Sequence, residues 1–181
     1  MLRRRRRSED PLAHVDPAAV PRRFAGPVAD AVESRRRYHE LVAGLRPGAV
    51  RDRLAATGER VDAGVAAVWS TAQRAGELER LLASLEPERV TDEYKRAKRS
   101  ADDPALEAAL AQRFGSVQRL LNALDDTEER LRLLDARLSA AVARVAEVAL
   151  VGGTGADEVG AELDTVVEEL AALRTALDEL A

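Results

Sequence analysis

The sequence of 181 residues contains no cysteine and no isoleucine, and it has only two histidines, two phenylalanines, two tyrosines and one tryptophan. Without cysteine, the chain has no disulfide framework, no thiol nucleophile and no cysteine-based metal site. Because Phe, Trp and Tyr make up only 3% of the sequence, little material is left for an aromatic ligand pocket. These absences favour a core of Leu, Val and Ala packed between helices.

Long apolar runs are also absent. No stretch of about 18 apolar residues occurs, and Arg144 and Glu147 interrupt the nearest candidate. The arginines at 3–7 could begin a signal peptide, but the polar residues 8–10 stand where its apolar part would follow. We therefore expect neither a membrane-spanning helix nor secretion. The expected location is the cytoplasm, with the inner face of the membrane as the alternative.

Few groups in the sequence could carry catalysis. His14 lies in a proline-rich stretch, and Tyr38, His39 and Glu40 are consecutive, so on a helix they point about 100° apart and cannot converge on one atom. The glycine-rich segment 152–155 lacks the Lys-Ser or Lys-Thr of a phosphate-binding loop, and no Glu-x-x-His pair occurs. We therefore predict a protein that is not an enzyme and that needs no cofactor or metal.

The clearest positive feature is a heptad pattern. Residues 104–150 read as one helix whose apolar positions alternate at spacings of three and four, an average repeat of about 3.5 that is typical of coiled coils. Residues 49–85 carry a similar seam, and residues 156–180 carry a third. Since seams of this kind must be covered by another surface, the pattern predicts an all-α fold.

The predicted architecture is an elongated antiparallel helical bundle or coiled-coil hairpin with a disordered basic N-terminal arm. Prolines among the charges of residues 1–27 predict the Pro/Arg-rich arm, and residues 28–181 are assigned to the bundle. The second, long and final helices are expected to run up, down and up, with the first as a fourth member. The helices are expected at about 28–45, 49–85, 88–99, 104–150 and 156–180.

Two carboxylates interrupt the wider apolar face of the long helix. A secondary apolar stripe includes Phe114, Leu121 and Val142, but Glu128 and Asp135 occupy its middle. Because charged residues usually mark a solvated surface, we predict that the two ends of the long helix contact two neighbouring helices and that its centre contacts only one.

Charge is distributed unevenly, although the net charge is only -4. Residues 1–53 hold 13 basic and 7 acidic groups, whereas residues 150–181 hold 1 and 8. This asymmetry predicts that the basic front pairs with the acidic end of its own chain or of a neighbour. Clustered cations are also candidate contacts for phosphate groups of membranes or nucleic acids. These candidates are Arg3, Arg4, Arg5, Arg6, Arg7, Arg22, Arg23, Arg35, Arg36, Arg37, Lys95, Arg96, Lys98 and Arg99.

The leading hypothesis is a non-enzymatic helical-bundle or coiled-coil scaffold or adaptor that acts through association with a protein partner or with itself. The candidate association seam lies on the final helix, at Leu163, Val166, Leu170, Leu173 and Leu177. One alternative is a peripheral module that binds anionic membrane surfaces through its Arg-rich N terminus. The other is nonspecific nucleic-acid binding, for which aromatic side chains are scarce. No small-molecule substrate is expected.

Overall fold

The computed structural model describes residues 10–100, 103–151 and 155–180. In these ranges the chain forms five α-helices and one short 3-10 helix, and no strand. The α-helices are α1 (Arg22–Gly44), α2 (Ala49–Ser84), α3 (Pro87–Ser100), α4 (Pro104–Val151) and α5 (Ala156–Asp178). The predicted all-α class is therefore confirmed. None of these helices combines the length and the apolar character that a membrane crossing requires.

Four of the helices form an antiparallel bundle. α2 and α4 pack against each other, and α1 and α5 each pack against both of them. Tyr38, near the end of α1, donates a hydrogen bond to the carbonyl of Leu54 near the start of α2, whereas Pro21, which caps the start of α1, lies against Gly76. These contacts make α1 antiparallel to α2. Contacts along the other pairs show that α1 and α4 point one way and that α2 and α5 point the other.

The apolar seams of α2, α4 and α5 meet in the core of this bundle. On α4, the predicted seam positions from Val117 to Val148 are buried, with the single exception of Leu120, which is half-buried. Gly64 of α2 allows close packing, since a Cβ at that position would lie 3.4 Å from Cδ1 of Leu138. Leu, Val and Ala supply most of the core, and α1 adds its two largest fully buried side chains, Phe24 and Tyr38.

The structure differs from the predicted arm over residues 10–27. A 3-10 helix forms at Pro17–Ala19, and its preceding residue, Asp16, accepts a hydrogen bond from the backbone N–H of Ala18 at 2.9 Å. α1 then begins at Arg22 instead of at the predicted residue 28. Residues 1–9, the rest of the predicted arm, lie outside the described residues.

Pro27 explains why the start of α1 differs from the prediction. It lies inside the helix, where a proline removes one backbone hydrogen bond and costs roughly 3 kcal/mol. Its ring is buried together with Phe24, Val28 and Ala31 against the rest of the bundle. Burial of these groups offsets the cost, because each large apolar side chain contributes about 1.5–3 kcal/mol when it leaves water.

The centre of α4 has more neighbours than predicted. Glu128 of α4 accepts a hydrogen bond from Arg23 of α1 at 2.7 Å, and about three turns further along α1, Ser34 bonds to Ser139 of α4 at 2.8 Å. Asp135, between these contacts along α4, is buried. The prediction that the centre of this helix contacts only one neighbour is therefore wrong, because α1 covers the carboxylates that interrupt the apolar stripe.

The remaining helix, α3, pairs with the first part of α4, and we call α3 and residues 104–116 the hairpin. Tyr94 stacks on Phe114 with ring centroids 4.8 Å apart, and Glu93 pairs with Arg113 at 3.2 Å. The bundle core on α4 begins at Val117. At 1.5 Å per residue, the hairpin therefore projects about 20 Å beyond the bundle.

Candidate interaction surface

The end of the bundle that carries the hairpin exposes several large apolar side chains. Leu81 near the end of α2 is 41% exposed, Leu106 at the start of α4 is 52% exposed, and Leu180 just after α5 is 40% exposed. We call the hairpin, with the adjoining ends of α2 and α5, the hairpin end. The fourth strongly exposed leucine of the described residues is Leu133 (58%), which lies at mid-length on α4.

Two shallow grooves lie in the hairpin end. One runs between α3 and α4, and its lining includes Ala97, Leu106, Leu110 and Arg96. The other lies where the chain leaves α2 beside α4, and Leu85 contributes to its wall. Both grooves are open to solvent and partly apolar, which suits contact with a large surface better than enclosure of a small molecule.

The four candidate cations of α3 are exposed on the hairpin. Lys95, Arg96, Lys98 and Arg99 occupy its last two turns, and none forms an ion pair with a residue that the structure describes. The Lys98 ammonium lies 5.9 Å from the ring centroid of Tyr94, and Arg96 Nε donates to a backbone carbonyl one turn earlier. These cations are also placed favourably at the C-terminal end of the α3 dipole.

Arg23 and Arg35 of α1, in contrast, are engaged in ion pairs with other parts of the chain. The Arg23 guanidinium contacts the carboxylates of Asp125 and Glu128 on α4 at 2.5 and 2.7 Å. Arg35 contacts Asp62 on α2 at 2.8 Å and a second carboxylate near the start of the described chain. Both arginines therefore help to dock α1, and they are not free to bind a phosphate group without breaking these contacts.

The next two arginines of α1 pair within their own helix. Arg36 and Arg37 both contact Glu33, at 2.6 and 2.9 Å, and hydrogen bonds from Arg36 and then Arg37 lower the pKa of Glu33 to about 2. Arg22 is exposed at the start of α1. The other candidates, Arg3 to Arg7, lie outside the described residues.

The five seam residues of α5 lie inside the bundle. Leu163, Val166, Leu170, Leu173 and Leu177 are at most 5% exposed, and α5 packs against α2 and α4. The chain itself thus covers the seam that was proposed for association, so this face is not open to a second molecule while α5 is docked.

Acidic side chains of α5 pair with the two helices beside it. Asp164 contacts Arg60 of α2 at 2.8 Å, and Glu169 contacts Arg137 of α4 at 2.7 Å. Two similar pairs join α5 to these helices closer to its two ends. The predicted pairing of the basic front with the acidic end is not found in the described ranges, where α5 pairs with α2 and α4.

Tyr38, His39 and Glu40 contact three different partners and do not converge. The Tyr38 hydroxyl is buried, donates to a backbone carbonyl of α2, and has its pKa raised to about 12 by burial. His39 Nε2 lies 2.9 Å from an Asp62 carboxylate oxygen, and Glu40 accepts from Arg36. Among the residues that the structure describes, no three acidic or histidine side chains are grouped as metal ligands.

Sequence reasoning missed the exposed leucines of the hairpin end. Leu81 and Leu106 fall outside the heptad seams, and a leucine at an off-seam position near a helix end is the signal that could have identified them. Asp135 was recognised only as an interruption, because its burial depends on α1. Comparison with known proteins adds no relative, since the chain matches no protein-family model and no curated protein or solved structure is similar to it.

Proposed function

We propose that this protein is a non-enzymatic helical-bundle adaptor that acts through protein–protein association, and that the hairpin end is its contact surface. The observation that supports this proposal is the exposed apolar groove of the hairpin, which Leu106 and Leu110 line together. A contiguous exposed apolar surface marks a contact site, and Leu81 at the end of α2 is also exposed. The hairpin also projects from the bundle, which gives a partner access to both of its helices.

The composition of the hairpin end fits a protein interface. Protein interfaces combine an apolar centre with a polar rim and are enriched in arginine. Here Leu106 and Leu110 supply apolar surface and Arg96 stands beside them. The α5 seam is already covered, so association that leaves the bundle intact has to use another surface.

Replacing Leu81 and Leu106 together by Asp tests the proposal. Both side chains are exposed, so the bundle should stay folded, whereas a charge buried in a partner contact should weaken association about tenfold or more. Light scattering after size-exclusion chromatography measures self-association of the intact chain. Cross-linking followed by capture measures binding to another protein.

Leu133→Asp is the matched control, because Leu133 is at least as exposed as Leu81 and Leu106 but lies at mid-length on α4, away from both of them. We expect this variant to associate like the unchanged chain. The proposal fails if the unchanged chain is a monomer that captures no partner, or if Leu133→Asp weakens association as much as the double variant does.

A second candidate function, binding to anionic surfaces, is favoured by the α3 cations alone. In the described residues these cations have no acidic partner, unlike Arg36 and Arg37 of α1. Changing Lys95 and Arg99 to Gln should then reduce binding to anionic vesicles, while neutral vesicles bind neither form. Changing Arg36 and Arg37 to Gln is the control, and an equal loss in both variants would contradict a specific role for α3. A matching loss with duplex DNA would indicate general phosphate binding.

A further inference from the structure

Asp135 is a carboxylate enclosed between helices of the bundle. The residue is only 8% exposed, and its Oδ1 forms no hydrogen bond with any residue that the structure describes. An ionised carboxylate in such a place has lost water without gaining a partner, which is costly. The docked state of the helices around Asp135 therefore favours the neutral, protonated form of its carboxyl group.

α1 carries a second carboxylate, on the exposed Asp30, whose charge acts on Asp135. Burial, and after it the negative charge of Asp30 on α1, raise the pKa of Asp135 to about 7. The nearest hydroxyl pair, Ser34 and Ser139, is hydrogen-bonded to each other at 2.8 Å. Each helix thus carries an Asp four residues before one of these serines, but only Asp135 is buried, whereas Asp30 is exposed.

Apart from Asp30, the charged side chains of α1 and α4 near Asp135 form ion pairs with other residues. On α4, Arg132 pairs with Glu128, and Arg137 pairs with Glu169 of α5. On α1, Glu33 is held by Arg36 and by a second arginine one residue further on.

α2 supplies no charge near Asp135. Between Asp62 and Arg74, its sequence contains no ionisable residue. Asp62 itself pairs with Arg35 and His39 of α1. The negative charge of the buried Asp135 carboxylate is therefore neutralised by binding a proton.

We propose that Asp135 acts as a proton-sensitive latch between α4 and α1. Its carboxyl group holds a proton while α1 is docked, and loss of that proton weakens the docking of α1. Because the docked state binds the proton more strongly than the open state, docking is strongest at low pH. It weakens as the pH rises from about 4, and the weakening is complete above about 7.

Weaker docking of α1 has a defined structural result. After Arg23, α1 brings Val28, Ala31 and Tyr38 to the core, so opening of this part of α1 uncovers the groove between α2 and α4. The ion pairs of Arg23 with α4 remain and hold the start of α1. The latch therefore changes the fraction of time for which α1 is open, and it leaves the other three helices of the bundle together.

Hydrogen exchange of α1 amides in the full chain tests the latch. After correction for intrinsic exchange rates, the opening constant of α1 should rise about thirtyfold between pH 5.5 and pH 8 in the unchanged protein, given an open-state pKa of about 4 and a docked value of about 7. In Asp135→Asn, which is neutral at both pH values and nearly the same shape, the ratio should be close to one.

Asp126→Asn is the control, since Asp126 is an exposed carboxylate of the same helix, and this variant should keep the ratio of the unchanged protein. An equal pH dependence in the unchanged protein and in Asp135→Asn overturns the latch. If Asp135→Asn does not fold, the carboxyl ¹³C titration of Asp135 in the unchanged protein decides the matter. A midpoint near 7 supports the latch, and one near 4 overturns it.

Discussion

Gly76 of α2 stands against the ring of Pro21, at the point where the chain enters α1. A Cβ at Gly76 would lie 2.7 Å from Cδ and 3.0 Å from Cγ of that ring. In an open helix, Gly→Ala is stabilising by about 1 kcal/mol. Here the rigid proline would have to move, and we expect Gly76→Ala to lower the free energy of unfolding by about 1–2 kcal/mol in urea denaturation followed by circular dichroism.

Gly115 of α4 provides the comparison for this substitution. It is also helical, but the nearest atom to an added Cβ would be Nη1 of Arg119 at 3.7 Å, which is an ordinary contact with a flexible side chain. Gly115→Ala should therefore raise the free energy of unfolding by about 0.5–1 kcal/mol. Two changes of the same sign would show that the Pro21 contact does not control the response at Gly76.

Pro27 also shows why the sequence did not predict the correct start of α1. A proline is read as a helix breaker because the cost of its missing N–H is local and the same in every protein. The packing that offsets it at Pro27 depends on which residues of other helices lie against it, and that information is not local. The same limit applies to Asp135, whose charge predicts solvent and whose burial is imposed by α1.

The docking of α5 against the bundle depends on its apolar seam. Leu170 is completely buried, and its carbonyl also lies within 3.5 Å of the Thr71 hydroxyl of α2. Leu170→Ala should lower the free energy of unfolding by about 2–5 kcal/mol, because it leaves a cavity between α5, α2 and α4. Thermal or urea unfolding of the intact chain measures the loss.

Leu133→Ala makes the same chemical change at a position that is 58% exposed, and it should alter the free energy of unfolding by less than about 0.5 kcal/mol. A small effect at Leu170, similar to that at Leu133, would mean that α5 is not docked in solution. Its seam would then be open to a partner, as the heptad pattern alone allows.

The heptad pattern predicted the helices well because it depends on the sequence of one helix at a time. The alternation of three and four places the seam residues of α2, α4 and α5 on one face, and in the structure those faces are buried. The same pattern does not state which molecule covers the face. For α5 the covering surface is the chain itself, so the predicted association seam has a structural role in this fold.

For the whole molecule, the arrangement of charges could not be predicted from their totals. The count by segment shows a basic front and an acidic end, yet Arg23, Arg35 and Arg36 of α1 pair with α4, with α2 and with α1 itself, respectively. The acidic side chains of α5 pair with arginines of α2 and α4 because α5 lies between these two helices. Pairing follows which helices are neighbours, and exposed pairs are too weak to choose those neighbours.

The single long helix α4 has a mechanical consequence. With 48 residues it is about 72 Å long, and it belongs to both the hairpin and the bundle. A sideways force on the tip bends a rod, and bending should begin near Gly115, where α4 leaves the support of the bundle. A force along the axis of α4 is not relieved by bending. It would slide α4 past α1, so tension or compression at the tip is borne by the contact that contains Asp135.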